Sequence, residues 1–329
     1  MTHADIFASA LRFAKNGQPE RAIATFEKAG QLGDASAMAE LSTWLLRGDL
    51  IPRDLSRARA ALRRTVEIGH VDAALLEAAL TANGTGGPCD WRRAVGLLET
   101  AAKTDPVANQ HIEIIHAMKL DANGYPRHLP PAEVLCRSPY VVRFRGALTQ
   151  AECLHIAGAG HPLLEPSVVI DPVTHRAIPH PIRTSVSATI GPAQETLPVA
   201  ALNRRFAALT QTPLQNGEPL QILKYAAGQE YKLHSDALPG ATNQRTVTAI
   251  AYLNDGFGGG ETEFPSANLR ITPRAGDIIA FTSIGADGAP DPLARHAGLP
   301  ISGGVKWIAT RWIRQAPFNA WMPSISSRS

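Results

Sequence analysis

The sequence predicts an α+β chain: a stack of helical hairpins followed by an all-β domain of the double-sheet jelly-roll type. Three observations carry that prediction. Residues 1–110 repeat at a fixed period of 36; from about residue 140 the chain turns to short β-branched runs set off by Gly, Pro, Asn and Asp; and a Pro-rich stretch without periodicity, 119–139, separates the two. At roughly 150 residues per domain, a chain of 329 residues has room for two cores. The expected division is 1–118 for the repeats, 119–139 for a linker and 140–329 for the second domain.

The repeat is read from matched positions: Ala22, Ala58 and Ala94; Phe26, Leu62 and Leu98; Gly33 and Gly69; Gly48 and Gly84; Asp54 and Asp90. Each unit holds two stretches with apolar residues at helical spacing, such as Ala37–Arg47 and Leu55–Glu67, broken by Gly or Pro in RGDLIPRD and NGTGGPCD. A hairpin of this kind buries its apolar face only against a stacked neighbour, and small Ala at the matched positions lets helices approach closely. Asp54 and Asp90 are placed to cap the second helices by accepting hydrogen bonds from unpaired N–H groups. The first unit has a shorter turn, KNGQPERA. In the second domain the runs YVVRF, SVVID, LQILKY, RTVTAIAYL, NLRITP, GDIIAF and KWIATRWI read as strands, with helices over Thr149–Ala159 and Pro198–Leu209.

Composition narrows the function. The chain is 44% hydrophobic and 19% charged with a net charge of +3, and no Lys/Arg run is interleaved with aromatics, so neither nucleic acid nor an anionic membrane is expected as partner. Cys89, Cys136 and Cys153 are odd in number and widely spaced, which fits free thiols in a reducing compartment. With no leader pattern in MTHADIFASALRFAKNG and no run of 18 apolar residues, a cytoplasmic location is expected.

One short stretch carries chemistry. In YKLHSDALPG, His234 and Asp236 stand at i and i+2 near the end of a strand and project from one face, with Ser235 turned away. Two metal-ligating groups then face one point, although the pair alone leaves an ordinary surface or core role open. Iron(II) that activates O2 is commonly held by two His and one carboxylate with open coordination positions. His296 lies 60 residues on, near the start of a late strand, and ten residues beyond it Lys306 stands among Val305, Trp307, Ile308 and Trp312. A Lys in such surroundings needs an anion. The Gly-rich GFGGGETEFP lacks the context of a phosphate loop and reads as a tight turn between strands. His155, His161, His175 and His180 have no strand partner at ligand spacing.

The second domain resembles the prolyl 4-hydroxylase branch of the 2-oxoglutarate- and Fe(II)-dependent dioxygenases, whose fold is a double-stranded β-helix. The resemblance spans about residues 140–316. It rests on IRTSVSA, EPLQILKYAAGQEYKLHSD, NQRTVTAIAYLND, GGGETEFP, ITPRAGDIIAF and the His296-x9-Lys306-Trp307 stretch ending in TRWI, all in order. It implies that His234, Asp236 and His296 bind iron and that Lys306 pairs with the distal carboxylate of 2-oxoglutarate. It also implies that Tyr225 and Thr248 line the cosubstrate pocket and bond that carboxylate, that Arg183 assists at the substrate, and that Trp307 walls the substrate groove or simply packs. O2 is the oxidant and ascorbate a candidate reductant. The segment DPVTHRAIPHPIRTS corresponds to a loop that covers substrate, which places His175 and His180 near a bound peptide. The first domain resembles tetratricopeptide-related repeats, most of all the Sel-one-like variety, an α-solenoid whose concave surface holds peptides or protein partners.

The implied activity is hydroxylation of an unactivated C–H, first of all prolyl hydroxylation of a peptide or protein that the repeats present. Two alternatives use the same residues differently: a hydroxylase of a free amino acid or natural-product precursor, and a non-catalytic repeat protein whose second domain no longer reacts.

Overall fold

A computed structural model describes residues 2–170, 177–179, 182–285 and 287–322, which contain two compact units. The first unit is Met1–Gly124 with Pro192–Ala200, and the second is Tyr125–Gly191 with Ala201–Ser329. No described helix is long and apolar enough to cross a membrane.

The first unit begins with seven helices among the described residues: α1 (His3–Lys15), α2 (Pro19–Gln31), α3 (Ala35–Arg47), α4 (Leu55–Glu67), α5 (Val71–Asn83), α6 (Trp91–Ala101) and α7 (Pro106–Ala117). They pair as the period of 36 requires, α1 with α2, α3 with α4 and α5 with α6, and the α-solenoid is formed. The matched Ala22, Ala58 and Ala94 are fully buried, as are Phe26, Leu62 and Leu98. Asp54 and Asp90 cap α4 and α6 by accepting from the amides of Arg57 (2.9 Å) and Arg93 (3.0 Å). Between α4 and α5 the buried Arg59 forms a bidentate pair with Glu77, both bonds 2.8 Å, and reaches Thr81 Oγ1 at 2.7 Å. Such a pair tolerates no loss of one partner, because the other charge would be left buried. Pro192–Ala200 belongs with this unit: Asn83 Nδ2 donates to the Pro192 carbonyl and to Glu195, each at 3.0 Å.

The second unit opens with β1 (Ala132–Arg137) and β2 (Tyr140–Phe144), then α8 (Gln150–Gly160), and continues with β3 (Glu165–Pro166), β4 (Val168–Ile170), β5 (Ala177–Pro179) and β6 (Val186–Ile190). After α9 (Leu197–Thr210) come β7 (Leu220–Ala226), β8 (Tyr231–His234), β9 (Arg245–Tyr252), β10 (Gly258–Gly259), β11 (Thr262–Phe264) and β12 (Leu269–Ile271). The chain ends with β13 (Ile278–Thr282), β14 (His296–Gly298), β15 (Ile301–Gly303) and β16 (Val305–Arg314). The major sheet runs β1-β2-β13-β9-β16-β7-β6-β3 and the minor sheet β12-β11-β14-β8, with the small pairs β10-β15 and β4-β5 beside them. The pairings are antiparallel, the two-sheet arrangement of a jelly roll.

The core between the sheets is built from Phe264, Phe281, Ile279, Ile301, Ile308 and Tyr252. Each such side chain contributes about 1.5–3 kcal/mol of apolar burial. The other face of the major sheet carries α8, which lies against β6, β7 and β16 and approaches closely where Gly160 meets Ile222. Two features differ from the sequence expectation. The supposed linker contains β1, whose Val134 and Glu133 pair with Val142 and Arg143 of β2; a sheet-edge strand shows weak apolar alternation because one side of it meets solvent. Pro192–Ala200 lies beyond the expected repeat boundary in sequence, yet clusters with the repeats through contacts that no local pattern encodes. The Gly-rich turn is as expected: Gly259 and Gly260 take φ of 70° and 73°, the left-handed region open to glycine.

Candidate active site

The minor sheet places the two histidines. His234 ends β8, His296 begins β14, and the antiparallel register sets them directly opposite each other. Asp236 follows two residues after His234, so its carboxylate swings to the same side. His234 Nε2 lies 3.6 Å from Asp236 Oδ1, and His296 Nε2 lies 3.7 Å from Asp236 Oδ2. These are too long for hydrogen bonds. One ligating atom from each residue falls within 4.8 Å of the others, and all three side chains are buried.

The surroundings fix the orientation of each donor. His234 Nδ1 faces the Lys232 carbonyl at 2.8 Å and His296 Nδ1 faces that of Ala294 at 3.1 Å. A carbonyl accepts only, so each Nδ1 carries the proton and each Nε2 turns a lone pair to the centre, an assignment made from the hydrogen-bond partner. Tyr231 stacks on His234 at 3.5 Å and Phe281 meets His296 edge-on at 4.5 Å. Burial pushes the His296 imidazole down to about 4 despite the neighbouring Asp236, so it is a neutral donor at physiological pH. Burial by itself would raise the Asp236 carboxyl; the adjoining His296 and His234 and the Thr248 hydroxyl outweigh it and hold the group ionised well below the usual carboxylate range. A carboxylate and two imidazole lone pairs, aimed at one point without bonding one another, form a donor set suited to a divalent first-row metal.

Lys306 projects from β16 into the same cavity, which Tyr225, Tyr231, Thr262 and Trp312 also line. Only 3% of the residue is exposed. Its ammonium donates to the Gly260 carbonyl at 2.6 Å and forms no ion pair with a described residue. Desolvation pushes it down to about 8, with the charge of Glu261 opposing. The rings of Tyr225 and Tyr252 each stand 5.7 Å from Nζ. Gly260 is required here, since a Cβ would collide with Ile301 and press on the Lys306 stem.

The structure thus brings His234, Asp236, His296, Lys306 and Tyr225 to one cavity. Tyr225 is buried beside Ser185, and burial raises its phenol well above the usual value. Arg183 stands one layer out: it bridges the Tyr231 backbone, its guanidinium lies 5.7 Å from the Tyr231 ring, and its Nε donates to Ser167 at 3.1 Å.

Two placements correct the expectation. Thr248 is fully buried behind the triad and gives its hydroxyl to Asp236 Oδ2 at 2.6 Å, which directs it to the carboxylate and away from a cosubstrate. Trp307 follows Lys306 in a strand and therefore points to the opposite face. There it stacks on His161 at 6.0 Å and meets the Lys224 ammonium at 5.5 Å, on the side covered by α8 and away from the cavity. His175 and His180 lie outside the described residues.

Sequence reasoning missed Thr262 and Trp312, which line the cavity, and Tyr252, which stands behind Thr262. Tyr252 and Thr262 share a hydrogen bond of 2.8 Å beside Lys306, and Trp312 stands on the Lys306 face of β16. The period-2 count from Lys306 through Ile308 and Thr310 to Trp312 was the available signal.

Residues 220–314 match the family described as the 2OG-Fe(II) oxygenase superfamily. Prolyl 4-hydroxylase 1 of Arabidopsis thaliana is 33% identical over 202 residues, 56% of this chain and 71% of that protein. Among solved structures, the viral collagen prolyl hydroxylase from Paramecium Bursaria Chlorella virus-1, in its 2OG complex, is 26% identical with a TM-score of 0.44, over 55% of this chain and 99% of that one. A Sel1 repeat protein from Oxalobacter formigenes is 28% identical with a TM-score of 0.27, over 33% of each chain.

Proposed function

Because the chain belongs to the prolyl 4-hydroxylase family of 2OG-Fe(II) oxygenases, which use Fe(II), 2-oxoglutarate and O2, we propose that it hydroxylates a proline residue of a peptide or protein. The observation that carries the reading is the pairing of two features in one cavity: three metal-donor atoms with no bond among them, and a buried ammonium with no counter-ion among the described residues.

His234, Asp236 and His296 would hold the iron. Lys306 would meet the distal carboxylate of 2-oxoglutarate, helped by the Tyr252 and Thr262 hydroxyls. Bound iron and cosubstrate supply the O2-dependent oxidation of a C–H bond, coupled to decarboxylation of 2-oxoglutarate to succinate. The protein's own work is positioning. Thr248 holds one carboxylate oxygen of Asp236, and the Nδ1 hydrogen bonds keep both imidazoles from turning. Phe264, Phe281 and Ile308 keep water from the inner cavity wall. Tyr231, which lines the cavity, and Arg183 beside its ring would orient the substrate ring. The repeat unit enters the proposal as the surface that holds a protein target.

The test supplies the purified chain with Fe(II), 2-oxoglutarate and a panel of proline-containing peptides, and follows succinate together with a +16 Da product, the mass of one oxygen atom. His296→Ala should abolish both. A wild-type protein that binds iron and 2-oxoglutarate but modifies no peptide refutes the prolyl assignment, and modification of a free amino acid instead would identify the metabolite alternative. Comparing a whole target protein with the short peptide cut from it reads the contribution of the repeats: equal turnover removes their presenting role.

A further inference from the structure

The major sheet has a second cavity on the face turned away from the triad. Phe281 lays its ring against His296 and Thr248 holds Asp236, so their strand neighbours Ala280, Thr282 and Val247 point the other way. Val141 likewise belongs to the core between the sheets, and Val142 beside it faces outward. These four outward side chains and the end of α9 enclose about 400 Å³. Small-molecule sites run from roughly 300 to 1,000 Å³. At about 30 Å³ for a water-sized group, there is room for about a dozen heavy atoms. Leu129 and Tyr140, at the rim, are 43% and 44% exposed, so an apolar mouth opens to solvent.

The wall carries no charge. No Asp, Glu, Lys, Arg or His among the described residues borders the cavity. Glu133 and Arg143 belong to adjoining strands but turn to the opposite face, where they pair at 2.9 Å. A carboxylate or an ammonium would lose hydration here without meeting a counter-ion. The α9 terminus has no basic residue in its last turn, and its carbonyl end disfavours an anion further. Three polar groups of the wall have no side-chain bond to a described residue: the Tyr140 hydroxyl, the Gln211 amide and the Thr282 hydroxyl. By contrast, the Thr210 hydroxyl donates to the Phe206 carbonyl at 2.7 Å and is satisfied within its own helix.

We propose that this cavity binds a neutral small molecule, an aliphatic body with one hydroxyl or amide group, at a site separate from the catalytic cavity. Such a site is independent of the hydroxylase reading. The apolar body fills the space over Val142 and Ala280, and the polar group meets Tyr140, Gln211 or Thr282. A strand from a partner protein or a second copy fits less well. β1 borders the cavity and ends the sheet, but it is six residues long, follows Pro130 and Pro131, and bulges between Val134 and Cys136. Those features keep a further strand from adding to an edge. A peptide would also bring an N–H and a C=O per residue against a wall with few polar partners, whereas an alcohol brings a single polar group.

The probe is n-decanol, with decanoate as its charged counterpart, each titrated calorimetrically into the full chain. One run uses metal-free protein, and a second adds Fe(II) and 2-oxoglutarate in the absence of O2, so that the catalytic cavity is filled. A single n-decanol should bind per chain, with affinities in the two runs that agree within about twofold. Decanoate should bind at least about threefold more weakly. Ala208→Phe narrows the cavity from α9 and Ala132→Phe from the sheet edge; each should weaken n-decanol binding about tenfold or more and leave Fe(II) affinity as in the wild type. Ala132 is exposed, so its variant keeps the test open even if Ala208→Phe fails to fold. The proposal is overturned by absent n-decanol binding, by binding lost once the catalytic cavity is filled, by equal binding of decanoate, or by binding that survives both substitutions. Sedimentation that shows a dimer broken by either substitution would assign the cavity to a second copy, and overturns it too.

Discussion

Replacing Lys306 with Met should make the protein more stable and less able to bind 2-oxoglutarate. The side chain is 3% exposed, and its ammonium is pushed from an ordinary 10.5 down to about 8 by desolvation. At 1.36 kcal/mol per pKa unit, holding the charged form in that cavity costs about 3 kcal/mol at neutral pH. Methionine fills a similar volume without the charge. It leaves the Gly260 carbonyl without its donor, a loss of about 1–3 kcal/mol that offsets part of the gain. The net expectation is stabilisation by about 0–2 kcal/mol.

The sign of the pH dependence follows from linkage. Between pH 8 and 10.5 the unfolded chain still holds the Lys306 proton while the folded chain has released it, so this residue's contribution to wild-type stability rises with pH across that window. The advantage of Lys306→Met should therefore be largest at pH 7 and shrink toward pH 9.5. The assay is thermal or urea unfolding of metal-free protein at both values, without 2-oxoglutarate. In parallel, loss of a buried charge pair worth about 2–5 kcal/mol should weaken 2-oxoglutarate binding roughly 30- to 5000-fold. A variant that is less stable than wild type by more than about 1 kcal/mol at pH 7, or that binds 2-oxoglutarate as well as wild type does, refutes the reading of Lys306 as a charge held uncompensated for an incoming anion.

Thr248→Val keeps the shape and removes the bond to Asp236, so Fe(II) affinity should fall about 10- to 100-fold while the KM for 2-oxoglutarate stays within about twofold; a changed KM with unchanged metal affinity would return Thr248 to the cosubstrate. Trp307→Phe should leave Fe(II) and 2-oxoglutarate affinities within about twofold of wild type, because the ring faces α8, and isothermal titration reads both; a large loss in either would place the ring at the site after all. Asp54→Ala removes the cap of α4 and should lower unfolding stability by about 1 kcal/mol, with no effect on metal binding; an unchanged denaturation midpoint would count against that capping role.

The sequence by itself determined what is local or periodic. The period of 36 set the helical hairpins, because each unit sees the same neighbours and repeats the same buried Ala, large apolar residue and capping Asp. His234 and Asp236 were legible as a pair because a strand turns alternate side chains to one side, and Lys306 because a cation among apolar neighbours needs an anion. Tertiary structure decided which distant groups meet. That His296 stands opposite His234 depends on the register of β14 on β8, over 60 residues of intervening chain. Trp312, and not Trp307, reaches the cavity because β16 has its odd positions under α8. Thr248 could have faced a ligand or a residue, and the position of Asp236 decided for the residue. Likewise, β1 and Pro192–Ala200 carry little periodicity of their own and take their place from the surfaces they meet. Alternation and spacing are short-range properties of the backbone, whereas register across a sheet is fixed by the fit of the whole core, and the second half of this site depends on that fit.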